Sequence, residues 1–217
     1  MRVLVACIFA GLLVVSPNGQ TKQKDQLRDN VLRRPVRGDE LKHLSTPDAF
    51  YSSLNRAGAP GGMVRILNCR TDNFKQAWRP QNSPLSYVVN ALVSADPRYR
   101  WEVEGGVVNL LPATGEPALL QTRINKFSVK DVLSASVALD RLLALPEVIK
   151  RMHKLHLEPG LALVNDLSGP HPRRFSVSRD GGTLRQALNA IAREQGLEVW
   201  QYVETHCGGR NEVVVRF

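Results

Sequence analysis

Five histidines and three cysteines carry most of the metal-binding or nucleophilic chemistry open to this sequence. His153 and His156 sit in "HKLH" on a helical stretch, Glu158 follows, and His171 and His206 lie further along, the latter beside Cys207. A zinc site needs three or four such ligands converging tetrahedrally, with further groups orienting the imidazoles. "HKLH" lacks the four-residue interval and the intervening Glu of a metalloprotease helix, and it reads instead as histidines near a helix C-terminus. Cys207, His206 and Asp166 could be imagined as nucleophile, base and orienting group. Adjacent strand residues point to opposite faces, which disfavours that dyad. The expectation is therefore no catalytic residue, no metal ligand and no cofactor. Once an N-terminal leader is removed, Cys69 and Cys207 remain. In a compartment that permits disulfides they read as a bonded pair, with two free, half-buried thiols as the alternative, because sequence separation does not fix their approach.

Phosphate and nucleic-acid chemistry are poorly supported. The "GG" pairs at 61, 105, 181 and 208 lack the strand–glycine–helix context of a phosphate cradle and read as turns. Trp101 and Trp200 alternate with charged or polar neighbours, as core-facing strand residues do, so they are assigned to the core and not to base stacking. Lys and Arg exceed Asp and Glu by 29 to 20, a formal charge of +9. Its densest part, Thr21 to Lys42, is interleaved with acids and reads as a solvated linker, with binding to anionic envelope polymers as the alternative.

The N-terminus has the parts of an export signal. Arg2 precedes the apolar run Val3 to Val15, and "SPNGQ" breaks it. That run falls short of the roughly 20 residues of a membrane span. An uncleaved anchor is the alternative and the only membrane contact expected. "LVAC" up to Cys7 has the look of a lipobox, but the apolar run continues past it, so lipidation is not expected.

The elements that would position these residues follow from apolar periodicity. Thr46 and Pro47 open a helix whose face carries Ala49, Phe50 and Leu54, and "MVRIL" follows as a strand. Phe74 and Trp78 are anchors of a polar connection. Ser83 and Pro84 open a helix with Leu85, Val88, Val89 and Leu92 inside, after which Tyr99, Trp101 and Val103 alternate with charges in a hairpin. A strand is expected within Ala118 to Val129, then two helices divided at Pro146, then strands at "GLALVND" and "RRFSVSRDG". "GTLRQALNAIAREQGLEVWQYVE" is a capped helix running into a strand that is apolar on both faces, so that strand should be covered on both sides. The segments are 1–20, signal or anchor; 21–45, basic linker; 46–160, an N-terminal α+β region; and 161–217, a C-terminal strand–helix–hairpin unit. The fold class is α+β, with small mixed sheets packed on helices and strand–helix–strand–strand units that look duplicated. "LSYVVNALV" and "LRQALNAIA" share Leu, Asn and Ala in register.

The phrase "TLRQALNAIAREQGLEVW" in 174–217, with its Thr-Leu helix start, apolar face and Gly-Leu exit into a strand, resembles the short N-terminal domains of secretins and TonB-dependent receptors. Residues 83–112 look like a weaker copy. The resemblance implies a small sheet packed on one or two helices in a noncatalytic periplasmic module that contacts another envelope protein. It covers about a third of the chain. An enzyme with a histidine metal site, secreted and of another type, is the competing expectation.

Overall fold

The computed structural model of the chain describes residues 30–36, 41, 44–69, 82–160, 174–196 and 198–217. The leader at 1–20, Phe74, Trp78, Asp166, His171 and most of "GLALVND" lie outside the described residues. The fold is α+β, with mixed sheets packed on helices.

In chain order, β1 (Pro35–Val36), α1 (Thr46–Ala57), β2 (Gly61–Asn68), β3 (Ser83–Pro84), α2 (Leu85–Ala95), β4 (Tyr99–Glu104) and β5 (Val107–Pro112) come first. There follow β6 (Lys126–Val132), α3 (Ala135–Leu143), α4 (Pro146–Lys154), β7 (Glu158–Pro159), β8 (Phe175–Asp180), α5 (Leu184–Gln195), β9 (Val199–Cys207) and β10 (Arg210–Arg216). The two series pair alike. β1 lies antiparallel to β3 as β6 does to β8; β2 is parallel to β5 as β7 is to β10; and the hairpins β4–β5 and β9–β10 are both antiparallel. The chain is thus two tandem copies of one pattern, in which α3 and α4 together fill the place of α1.

β2 pairs in parallel with β9 over Gly61–Asn68 and Val199–His206, which joins the copies into one six-stranded sheet of order β4-β5-β2-β9-β10-β7. Because β2 and β9 run the same way, equivalent strands of the two copies run oppositely. Their helices also cover opposite faces. Phe50, Leu54, Leu85 and Leu92 of α1 and α2 pack with Met63, Val108 and Val199, whereas Leu139, Leu184, Leu188 and Ile191 pack with Val64, Trp200, Tyr202 and Val213. The second copy is the first turned over about an axis across the strands. β9 lies between β2 and β10, and its first four residues, Val199–Tyr202, are buried on both faces, as their two-sided apolar pattern implies.

Local chemistry fixes the helix ends. Ser45, and not Thr46, caps α1 by accepting from Asp48 N at 3.4 Å; Thr46 instead donates to Asp96 at 2.9 Å and ties the start of α1 to the end of α2. Thr183 and Gln186 close a reciprocal capping box on α5, and Gly196 ends that helix at φ 106°. Three expectations shift. Residues 118–121 form turns and Arg123 a single antiparallel bridge with Thr183, with Leu119, Leu120 and Ile124 buried, so β6 begins only at Lys126 and runs through Val132. Ser83–Pro84 form a short bridge with β1. Gly61 and Gly62 are not a turn but the start of β2. Within 21–45, Val31, Val36 and Leu41 are buried against α1 and α2, so the described part of that basic stretch is pinned to the first copy by apolar anchors and is not a solvated linker. The copies meet within 113–125, and residues 126–160 pack with 174–217.

Candidate functional site

The same hydrogen bond stands in both copies. The Trp101 indole donates to Asn90 Oδ1 at 2.9 Å and the Trp200 indole to Asn189 Oδ1 at 2.8 Å, each across a separation of 11 residues. The two environments differ. Trp200 is 0% exposed, because β2 lies alongside β9 and Gly62 sits opposite the ring. Trp101 stays half-buried, because β4 ends the sheet and no described strand pairs with its outer edge. Both tryptophans face a core, as their alternation predicts.

Around that edge the surface is aromatic and basic. Tyr99, Trp101 and Val103 are half-buried, Tyr87 one helical turn before Asn90 is 61% exposed, and the Arg98 guanidinium lies 6.0 Å from the Tyr99 ring centre. Tyr, Trp and Arg at a partly desolvated rim are the residue types that dominate protein contacts. The opposite face of β4 is tied down. Arg185 of α5 pairs with Glu102, lies 3.5 Å from Glu104 and has an electrostatic contact at 3.0 Å with Glu116, while Gln186 and Asn189 donate to Glu104. Burial pushes the Glu102 carboxyl up, but hydrogen bonds from Arg185 and Arg100 outweigh it and hold the group below its usual range. Burial prevails at Glu116, whose carboxyl is raised. One edge strand of the first copy is therefore anchored by a helix of the second.

Cys69 and Cys207 are free thiols on adjoining ends of β2 and β9, one step beyond the Asn68–His206 pair. Cys69 Sγ approaches His206 O at 3.7 Å. Interaction between the two thiols lowers Cys69 and raises Cys207, which makes Cys69 the more acidic of the pair. The structure sets the two side by side at the seam between the copies, as free thiols and without the bond that the sequence reading preferred.

Among the described residues the histidines are not brought together. His153 lies in the lining of a groove on the second copy, His156 ends α4 with φ 52°, and His206 on β9 contacts Glu204 at 2.9 Å and Asn211 at 2.9 Å. Among the described residues no three His, Cys, Asp or Glu side chains gather as a metal site. His206 turns to Glu204 and Asn211 while Cys207 turns to Cys69, so neighbouring strand residues do face apart. The groove, of about 370 Å³, is lined mainly by Leu139, Leu143, Met152, Val213 and Val215, with Asp140 and His153 as its titratable groups.

No family model, curated protein or solved structure matches the chain.

Sequence reasoning missed the β4 edge and the Arg185 cluster. The signal for the first was present in the Asn and Trp that recur at equal spacing in both copies. Nothing in local sequence ties Arg185 to glutamates so far up the chain. Among the described residues no helix is long and apolar enough to cross a membrane.

Proposed function

We propose that the chain is an exported bacterial envelope protein that acts without catalysis, binding a partner protein through the outer edge of β4. The carrying observation is a strand edge with no strand on its outer side among the described residues, carrying Tyr99 and a half-buried Trp101. The N-terminal apolar run supports export. The tandem modules, each with helices between a two-stranded sheet and three strands of the shared six-stranded sheet, are in keeping with the likeness of 174–217 to secretin and TonB-receptor N-terminal domains. Two charged groups point the same way: buried Asp96 is engaged by Thr46 and Arg98, and largely covered Arg185 pairs with its glutamates, which leaves them structural work.

A photoreactive residue at exposed Arg100 in the full-length chain, expressed in a bacterial cell and fractionated, tests both halves of the reading. A defined adduct from the periplasmic fraction, absent when the probe stands at exposed Lys130 on β6, is expected. Cytoplasmic location, or equal labelling at both positions, overturns it.

A further inference from the structure

The second copy shows how an edge strand of this kind is covered. In the register of β2 on β9, Gly62 lies opposite Trp200 and Val64 opposite Tyr202. A Cβ on Gly62 would overlap the Trp200 indole, so the ring is closed over by bare backbone. Side chains of paired residues in neighbouring strands project to the same face, which is why the partner of a fixed ring must lack one. Trp101 is fixed by the same asparagine bond as Trp200, on the strand that takes the place of β9 in the first copy, and among the described residues no strand occupies its neighbouring lane.

We infer that the β4 edge accepts a parallel strand from its partner with glycine opposite Trp101 and a branched apolar residue two positions on, opposite Val103. This rests on the reading that β4 docks a partner, and it specifies the chemistry of that partner. The internal junction supplies the template: β2 meets β9 with glycine, then methionine, then valine, and runs parallel to it. Backbone pairing gives attachment to any extended chain, whereas the indole excludes a side chain at one position and so selects among strands.

The probe is a synthetic peptide carrying the β2 sequence "GGMVRILN" between solubilising ends, and a second peptide with leucine at the second glycine. Each is titrated against the full-length protein, with hydrogen exchange followed residue by residue. The glycine peptide is expected to slow exchange within Tyr99–Glu104 and to bind at least about tenfold more tightly than the leucine peptide, since overpacking a fixed ring costs that much. Trp101→Ala should abolish the difference, and Trp101→Phe, which keeps an aromatic ring, should preserve most of it if the alanine variant fails to fold. Equal binding of both peptides to the native chain overturns the glycine requirement and leaves docking at β4 standing. Protection at β9 in place of β4, or at neither strand, overturns the inference; the Arg100 cross-link then decides separately whether β4 docks anything.

Discussion

Asn189 accepts a 2.8 Å hydrogen bond from the indole of Trp200, a side chain with no exposed surface, and the pair repeats in the first copy as Asn90 with the half-buried Trp101. The bond does two things at once. It satisfies a buried donor, and it fixes the angle at which a ring leans over the neighbouring strand. Asn189 also donates to Glu104 at 3.2 Å, which extends the tie across the copies.

Asn189→Ala leaves a buried N–H without its acceptor, and should destabilise the protein by about 1–3 kcal/mol. Asn90→Ala frees an indole that water can reach, so its cost should be well under half as large. Urea unfolding of the two variants checks the ranking; equal losses would mean that the bonds are not distinguished by burial.

Gly62→Ala places a methyl group where the Trp200 ring stands. Overpacking of this kind costs about 1–3 kcal/mol. The double variant Gly62→Ala with Trp200→Phe should recover part of that loss, a coupling that a double-mutant cycle in urea reads directly.

The seam thiols should respond to oxidant. With a small disulfide such as oxidised glutathione, the Cys69 thiolate breaks its S–S bond, forming a mixed disulfide and releasing one glutathione thiolate, and Cys207 then displaces the second to leave Cys69–Cys207 bonded. The bond should raise stability by about 2–4 kcal/mol by linking β2 to β9. Because the thiol–thiol interaction lowers Cys69 and raises Cys207, alkylation of the reduced protein at mildly alkaline pH should label Cys69 first. Peptide mapping by mass spectrometry checks both outcomes, and persistent glutathione on either cysteine would contradict ring closure.

Acid should loosen the first copy through Asp96. Burial raises this carboxyl, but hydrogen bonds from Arg98 and Thr46 outweigh burial and hold it below its usual range. A group depressed on folding contributes stability that is fully present above its unfolded value, about 4, and is lost as pH falls through the lower folded value. Asp96→Asn should therefore show a flatter acid limb than the native chain when urea midpoints are followed downward from pH 5. The raised carboxyls of Glu116 and Glu198 act with the opposite sign. Charging them as pH rises disfavours the folded state, so Glu116→Gln should relieve part of that loss.

Periodicity made the helices, both hairpins and their core faces legible, since an amphipathic stripe and a two-residue alternation are local properties. The β4–β5 and β9–β10 turns, each built on a glycine pair, could be read directly. What local pattern could not carry was the lane between strands. Gly61 and Gly62 look like a turn until Trp200, far along the chain, explains why a strand needs glycine there. The helix–strand boundary at Asp131 was hidden for a related reason: that residue takes φ 53° at an irregularity in β6, and its neighbour Val132 still pairs with Phe175. Arg174 donates to the Asp131 carbonyl at 3.0 Å and to its carboxylate at 2.8 Å, contacts that sequence spacing does not reveal.

The turned-over relation of the copies gives the sheet two unlike ends. Among the described residues, one end is a strand of the type that receives at the internal seam, six residues long with no strand on its outer side; the other is of the type that inserts there and pairs with β10 through Glu158 and Pro159. Proline has no N–H to offer a neighbour, so that end is blunted. With docking at β4 as proposed above, a ribbon with one live end and one blunted end would take on a foreign strand without passing the pattern on, and so would act as a terminator at which growth stops after a single addition.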